Sequence, residues 1–86
     1  MNKWVVYVLE CKDKTLYTGI TNNLRQRLLK HESGQGAKYT RGRGPFRIFY
    51  SEPCENRTTA LKREYSIKKM NRANKLMLGL TEDALR

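Results

Sequence analysis

The sequence predicts an α+β domain whose elements follow one another in the order β-β-α-β-α-α. Two apolar runs, WVVYVLEC and LYTGI, lie on either side of a short polar segment, which is the pattern of a β-hairpin. A third strand-like run, FRIFYS, follows a glycine-rich segment. The remaining stretches begin with good N-cap residues and repeat apolar positions at helical spacing, which predicts three helices.

The length of the hairpin loop decides where the two hairpin tyrosines lie. A three-residue loop ending at Lys14 pairs Tyr7 with Gly19. The same loop pairs Tyr17 with Leu9, so both tyrosines lie on one face as diagonal neighbours. A two-residue loop would place them on opposite faces. The longer loop requires Lys14 to adopt the left-handed conformation, and the alternative role for both tyrosines is packing in a half-buried sheet.

A helix is expected over 23–33, between a Thr-Asn-Asn segment and a glycine. Leu24 and Leu28 mark its apolar stripe. Arg27 and His31 share the face of these leucines, because residues three and four apart are neighbours on a helix. The alternative is structural: an arginine whose stem packs while its head reaches solvent, and a histidine that caps the helix end.

The segment 34–45 is rich in glycine and ends in proline, so regular structure is excluded over most of its length. Long irregular loops in small domains are usually functional. This one carries basic side chains without acidic neighbours, and its backbone can approach phosphates closely. We therefore favour nucleic-acid binding over a solvated linker, through Lys38, Tyr39, Thr40, Arg41 and Arg43.

The third strand is expected over 46–51 and should end before Pro53, which cannot donate to a strand ladder. The last helix should begin at Asn71 and be short. No linker, repeat or low-complexity tract divides the chain. We expect a single domain over 1–80, with 81–86 as a tail or as the end of the last helix.

The second helix, between the third strand and the last helix, should start at Asn56 or Thr58. Glu64 faces inward on this helix and is the lone acid in a basic stretch. Burying a carboxylate is costly unless it is paired or binds a metal ion. Pairing with Arg27 is the structural alternative, and holding a hard cation such as Mg²⁺ is the functional one. The apolar side of the helix is expected to consist of Ala60, Leu61, Ile67 and Met70.

Composition restricts the partners of the chain. It has 86 residues and a net charge of +10, which favours a polyanion and most simply nucleic acid. Two separated cysteines and one histidine cannot form an ordinary zinc site, so free buried thiols are expected. The first apolar run is too short for a signal peptide or a membrane span. We expect a cytoplasmic, nucleoid-associated protein with no membrane partner.

Five polar side chains on shared or inward-leaning faces form the candidate site: Tyr7, Tyr17, Arg27, His31 and Glu64. They supply hydroxyl groups, a fixed cation, a titratable imidazole and one carboxylate that can bind a metal ion. Phosphodiester hydrolysis needs an activated water, charge stabilisation on the phosphate and help for the leaving oxygen. This set could perform that reaction with one metal ion.

At these residues the sequence resembles GIY-YIG nuclease domains, over about 3–78. The two motifs that name the family correspond to VVY at 5–7 and YTG at 17–19, with the usual spacing. The helical signature Arg-x-x-x-His/Tyr matches Arg27 and His31. The signature Ala-Leu-x-x-Glu matches the segment that ends at Glu64. The segments GAKYTR and IKK resemble the small stand-alone bacterial members.

The resemblance implies a three-stranded antiparallel sheet with helices packed around it, and metal-dependent cleavage of DNA. By position, Tyr7 would be the general base or would position the attacking water, and Tyr17 would hydrogen-bond the phosphate or that water. Arg27 would clamp the scissile phosphate. His31 would transfer a proton or orient its neighbours. Glu64 would hold one Mg²⁺ or Mn²⁺ that stabilises the leaving oxygen.

The sequence departs from the family pattern in three ways. Val5 replaces the glycine of the first motif. Ile20 stands where some relatives have a lysine, which leaves Thr21 as a substitute of lower charge. The late asparagine of some members has no secure match. We expect no separate DNA-binding domain of the kind that larger relatives have, so basic residues including Lys68 and Lys69, or a helper protein, would bind the DNA. The chain is expected to be a monomer or weak dimer.

Three hypotheses follow. The first is a metal-dependent endonuclease that acts on branched, nicked or single-stranded DNA. The second is a basic nucleic-acid-binding module with the same fold and no useful turnover. The third is binding to an acidic protein or membrane by charge alone, which predicts that changes at Lys38, Arg41 and Arg43 leave DNA affinity untouched. Nucleic-acid binding predicts instead a steep fall of affinity with salt.

Overall fold

The elements follow the predicted order and form one three-stranded antiparallel sheet with helices on both faces. The computed structural model describes residues 3–84, and from Leu80 onward only the backbone. The strands lie in the order β2-β1-β3, so β1 is central. No helix in 3–84 is long and apolar enough to cross a membrane. The elements are β1 (Trp4–Glu10), β2 (Leu16–Thr21), α1 (Leu24–Glu32), β3 (Arg47–Cys54), α2 (Arg57–Lys68) and α3 (Arg72–Ala84).

The hairpin has the predicted three-residue loop. The Cys11 N–H donates to the Thr15 carbonyl over 2.9 Å, and Lys14 has a φ of 70°. Tyr7 lies opposite Gly19, and β2 continues in the same register. The left-handed residue closes the loop as a three-residue hairpin requires. Both hairpin tyrosines therefore lie on one face of the sheet.

Each face of the sheet has its own buried cluster. Val6 and Val8 pack with Ala60 and Ile67 on the face that α2 and α3 cover. On the other face, the cluster of Tyr7, Leu9, Cys11 and Phe46 packs against the α1 leucines, Leu24 and Leu28. The predicted α1 stripe is thus confirmed. Both cysteines are buried free thiols, as expected.

The predicted apolar side of α2 is wrong at one position. Ala60 and Ile67 are fully buried, whereas Leu61 is 38% exposed. Consecutive residues of a helix lie about 100° apart around its axis, so burial of Ala60 turns Leu61 away from the sheet. Met70 is partly buried against the cluster, as predicted.

The third strand runs further than the sequence predicted. It continues through Pro53 to Cys54, with Pro53 opposite Val5. Because β3 pairs only with β1, it is an edge strand in the described sheet. An edge strand tolerates proline, because the missing N–H can face away from the ladder.

A β-bulge in β3 redirects the start of that strand. Val8 lies opposite Tyr50, but Leu9 lies opposite Ile48, so Phe49 is the additional residue. A shift of one residue moves every following side chain to the other face. Phe46 therefore joins the cluster around Tyr7, where an unbroken ladder would have placed it on the α2 face.

The helices begin at the predicted asparagine caps. The side chain of Asn23 accepts from the Gln26 N–H, and that of Asn56 from the Thr59 N–H. Asn71 likewise caps α3. This last helix is longer than predicted and extends to Ala84, so 81–84 continue it. The rest of the predicted tail, 85–86, lies outside the described residues.

Replacing Lys14 by asparagine should stabilise the protein by about 1 kcal/mol. A left-handed conformation costs most L-residues about 1–2 kcal/mol, and asparagine relieves part of that cost. The midpoint of urea denaturation should rise for Lys14→Asn. Lys12→Asn is the matched control, since Lys12 lies in the same loop with an ordinary φ. A Lys14→Asn midpoint at or below wild type would contradict the strained-loop interpretation.

Candidate active site

Tyr7 lies across strand β2 because its partner in the ladder has no side chain. A Cβ atom at Gly19 would lie 2.6 Å from the Tyr7 hydroxyl oxygen and 3.2 Å from the Tyr17 ring. The Tyr7 and Tyr17 ring centroids are 6.5 Å apart. Tyr7 is only 1% exposed, so its hydroxyl group needs a partner within the protein. Gly19 thus creates the space in which the two tyrosines meet.

His31 of α1 is that partner. The Tyr7 hydroxyl oxygen lies 3.0 Å from His31 Nε2, and His31 Nδ1 lies 2.8 Å from Thr40 Oγ1. The Thr40 hydroxyl donates to the Ala37 carbonyl over 2.8 Å. Because the Thr40 hydroxyl proton is used in that bond, the Thr40 oxygen acts as the acceptor for His31 Nδ1–H. His31 Nε2 is then unprotonated and accepts from Tyr7. The Tyr7 hydroxyl, the His31 imidazole, the Thr40 hydroxyl and the Ala37 carbonyl thus form one hydrogen-bonded chain, in which each group donates to the next.

Burial sets the protonation states along this chain. Burial lowers the pKa of His31, and the positive charge of Arg27 lowers it further. Burial also raises the pKa of Tyr7, while the neighbouring Arg27 guanidinium opposes the rise. Desolvation disfavours the charged form of each group, which explains the opposite directions. At neutral pH the site therefore holds a neutral imidazole and a protonated phenol.

The glycine-rich loop closes directly over His31. Gly36 packs against the imidazole so tightly that a Cβ atom there would collide with it. The Tyr39 ring stacks on Tyr17, with centroids 5.9 Å apart and planes 22° apart. The Arg43 guanidinium carbon lies 4.5 Å from the Tyr39 ring centroid, and Arg43 pairs with Asp13 in the hairpin loop. The loop is thereby fixed at both ends of the site.

Two roles on this face were not foreseen from the sequence. Thr40 was predicted to contact nucleic acid, but it is 1% exposed and bonded to His31, so that prediction is corrected to a supporting role. Phe46 packs beneath the imidazole at a centroid distance of 5.9 Å. Only the bulge in β3 brings Phe46 there, and no residue type in the strand signals it.

Glu64 approaches the site from α2, which covers the opposite face of the sheet. Its side chain is 18% exposed and its Oε2 lies 3.3 Å from Lys68 Nζ. No Glu64–Arg27 ion pair forms among the described residues, so the structural alternative of that pairing is wrong. After burial, the Glu64 charge is a smaller cause that raises the pKa of Tyr7.

Arg27 neighbours Tyr7 and also lines a hollow of about 240 Å³ between the end of β2 and α1. Thr21 and Lys30 line the same hollow. Thr21 is largely buried, and its hydroxyl oxygen accepts from the Asn23 N–H over 3.0 Å. Arg27 thus faces both the tyrosine and a basic surface. The structural alternative for His31, capping of the helix end, is wrong because its two ring nitrogens bond Tyr7 and Thr40 instead.

The other predicted nucleic-acid contacts are spread over the surface. Lys38 and Arg41 are exposed on the loop and form no ion pair within 3–79. Lys69 Nζ lies 4.7 Å from the exposed Tyr65 ring, outside the tyrosine cluster. Lys68 is bound to Glu64. The structure therefore brings Tyr7, Tyr17, Arg27 and His31 together and leaves most lysines at the periphery.

A family model of the GIY-YIG catalytic domain matches residues 3–77. The chain belongs to the GIY-YIG family. It is 55% identical over 73 residues to a UPF0213 protein of Oceanobacillus iheyensis, a match that covers 85% of each chain. It is 58% identical over 73 residues to a UPF0213 protein of Clostridium perfringens, covering 85% of this chain and 78% of that protein.

Two solved structures support the fold of this GIY-YIG chain. The solution NMR structure of a UPF0213 protein from Bacillus halodurans is 47% identical, with a TM-score of 0.56, and the match covers 91% of this chain and 82% of that one. An NMR structure from E. faecalis is 36% identical, with a TM-score of 0.64 and coverage of 100% and 90%. The predicted family and α+β fold are confirmed, and the GIY-YIG catalytic domain is a nuclease fold.

Thr40→Val should destabilise this GIY-YIG protein by about 1–3 kcal/mol, because the buried His31 Nδ1–H would lose its acceptor. Thr40→Ser should restore most of the loss. Urea denaturation measures the stability, and ¹⁵N NMR of the single imidazole reports the tautomer. The wild type should show the Nδ1–H form and Thr40→Val a mixture. An unchanged tautomer and stability in Thr40→Val would refute the assigned proton order.

Proposed function

We propose that the chain is a metal-dependent endonuclease that hydrolyses phosphodiester bonds in DNA, which would place it at the nucleoid. The observation that carries this proposal is the directed chain from the Tyr7 hydroxyl group through His31 to Thr40. A packing tyrosine needs one hydrogen bond, whereas this one is joined to a neutral base held in a single tautomer. The net charge of +10 suits a polyanionic substrate.

The proton of the attacking water passes along this chain in the proposed reaction. The water oxygen forms a bond to phosphorus, and its proton moves to the Tyr7 oxygen. At the same time the Tyr7 proton moves to His31 Nε2, and the bond between phosphorus and the leaving oxygen breaks. The leaving oxygen keeps the electron pair as an alkoxide and then takes a proton from solvent. Tyr7 remains neutral throughout, which suits its raised pKa. Free phenolate would be costly at this buried position.

Arg27 would hold the phosphate. It neighbours Tyr7 and lines the hollow at the end of β2, and its guanidinium can hold two phosphate oxygens in one plane. Tyr17 shares the face and would donate a hydrogen bond to another phosphate oxygen. Lys38 and Arg41, exposed on the loop, would bind the neighbouring backbone phosphates.

Glu64 is the residue that would hold the divalent ion. Within 3–79 no group of three or more His, Cys, Asp or Glu side chains could form a closed metal site. Mg²⁺ and Mn²⁺ often use one or two carboxylates, with water and substrate phosphate as further ligands. The Glu64 carboxylate is partly buried and is paired with the Lys68 ammonium group. It fits a site in which one carboxylate shares the ion with water and substrate phosphate. When bound, the ion supplies positive charge at the phosphate and the leaving oxygen.

Tyr7→Phe and Glu64→Gln should each lower the rate of DNA cleavage by at least about 100-fold, the usual minimum for loss of acid–base or electrostatic catalysis. Each variant removes one chemical group with little change in shape. The assay uses labelled single-stranded, nicked and branched DNA with Mg²⁺ or Mn²⁺. Matched controls are Tyr65→Phe, at a 64%-exposed tyrosine of α2, and the exposed Glu55→Gln.

Both controls should cleave like wild type. Cleavage that survives Tyr7→Phe together with Glu64→Gln would sink the proposal and indicate a contaminant. If wild type binds DNA in a salt-dependent way but cleaves none of the substrates, the protein is instead a nucleic-acid-binding module on a nuclease fold. Ile20, at the position of a family lysine, is the feature that favours this second function.

The pH profile of kcat/KM, which reflects the free enzyme, should report His31. Burial, together with the Arg27 charge, lowers the His31 pKa, so the imidazole can accept a proton at neutral pH and loses this ability as pH falls. We expect kcat/KM to be constant around neutral pH and to fall about tenfold per pH unit below the His31 pKa. Tyr7 should add no transition up to pH 10. His31→Gln should give a low rate without the acidic transition; an acidic transition centred above pH 7 in wild type would contradict the role.

A further inference from the structure

A pocket of about 290 Å³ lies beside the candidate active site, at the outer edge of strand β2. Tyr17 and Lys68 line it, and both belong to the site already described. The first stacks against Tyr39 near Tyr7, and the second is paired with Glu64. The full lining is Leu16, Tyr17, Thr18, Tyr39, Lys68 and Lys75.

We propose that this pocket binds one unpaired nucleotide next to the scissile phosphate, with its ring against Tyr39 and its phosphate at Lys68 and Lys75. The inference rests on the proposed nuclease function and specifies the substrate of the same site. It implies that the preferred DNA carries an unpaired nucleotide at the cleavage position. A base stacked within a duplex cannot enter a pocket of this size.

The lining combines two kinds of side chain that suit a nucleotide. Tyr17 and Tyr39 are aromatic and lie in contact with each other, and Lys68 and Lys75 are cationic. Single-stranded nucleic acid is bound by this combination of aromatic platforms and positive charge. The volume of about 290 Å³ lies just below the range for small-ligand pockets, about 300–1,000 Å³. It therefore suits a single nucleotide.

The Tyr39 ring is held in position before any ligand binds. Tyr39 is contacted by Tyr17 and by the Arg43 guanidinium, yet it remains 45% exposed. The backbone of Arg43 also accepts from the Lys12 N–H over 2.8 Å, which attaches the loop to the hairpin. A fixed ring loses little conformational freedom on binding, and this favours affinity.

The test compares two DNA duplexes of one sequence, fully paired or with one unpaired nucleotide, binding to the full chain in EDTA. Wild type should bind the second duplex more tightly. Tyr39→Leu should weaken that binding about 5-fold or more and abolish the preference. Lys75→Met should also lower the salt slope of log K by about 0.7–0.9, the value for one lost phosphate contact. Lys62→Met, at an exposed α2 lysine outside the pocket, should change neither quantity.

The outcomes also separate this inference from the proposed nuclease activity. If Tyr39→Leu and Lys75→Met weaken both duplexes equally, the pocket is merely part of the basic surface and the proposal is overturned, even if cleavage is observed. If the pocket variants behave as expected but wild type cleaves nothing with Mg²⁺ or Mn²⁺, the nucleotide site stands and the nuclease assignment fails.

Discussion

The hydrogen bond between the Tyr7 hydroxyl group and His31 is the interaction on which the rest of the structure depends. Both groups are almost fully buried, and a buried polar group without a partner costs about 1–3 kcal/mol. Tyr7 belongs to the central strand and His31 to the last turn of α1, while Thr40 comes from the loop. Sheet, helix and loop must therefore meet for any of the three polar groups to be satisfied. The candidate catalytic chain is also what joins these elements.

Two one-residue features of the backbone bring this chain together. The three-residue hairpin loop, closed by Lys14, puts Tyr7 and Tyr17 on one face, and one residue fewer would separate them. The bulge at Phe49 lies in β3, on the other side of β1 from β2, and it places Phe46 against His31. A shift of one residue in either strand would leave the composition of the sheet unchanged and dismantle the site. Backbone register, more than residue type, defines this centre.

Local signals were sufficient for much of the fold. Asparagine caps placed the helix starts, and the count of loop residues placed the tyrosines, because both depend on neighbours in sequence. The bulge and the burial of Thr40 could not be predicted, since each depends on packing between distant elements. For the same reason Thr40 read as a surface hydroxyl in a basic loop. The Glu64–Lys68 pair is different: it joins residues four apart on one helix and is a local signal. The sequence identified the reactive side chains, but not the groups that orient them.

Arg27 has the same electrostatic effect on both members of the central hydrogen bond, and this bears on when the proposed reaction can proceed. The Arg27 charge favours the unprotonated form of both Tyr7 and His31. Burial opposes this effect at Tyr7, where it favours the phenol, and reinforces it at His31, where it favours the neutral imidazole. In the free protein, both burial and the Arg27 charge therefore disfavour a protonated His31. A phosphate bound at Arg27 would neutralise one of these causes, because a nearby anion raises the pKa of an imidazole. In that mechanism His31 becomes a better proton acceptor when a phosphate is bound at Arg27. The uncompensated Arg27 charge disfavours proton transfer to His31 in the free protein, so transfer is favoured only in the bound state.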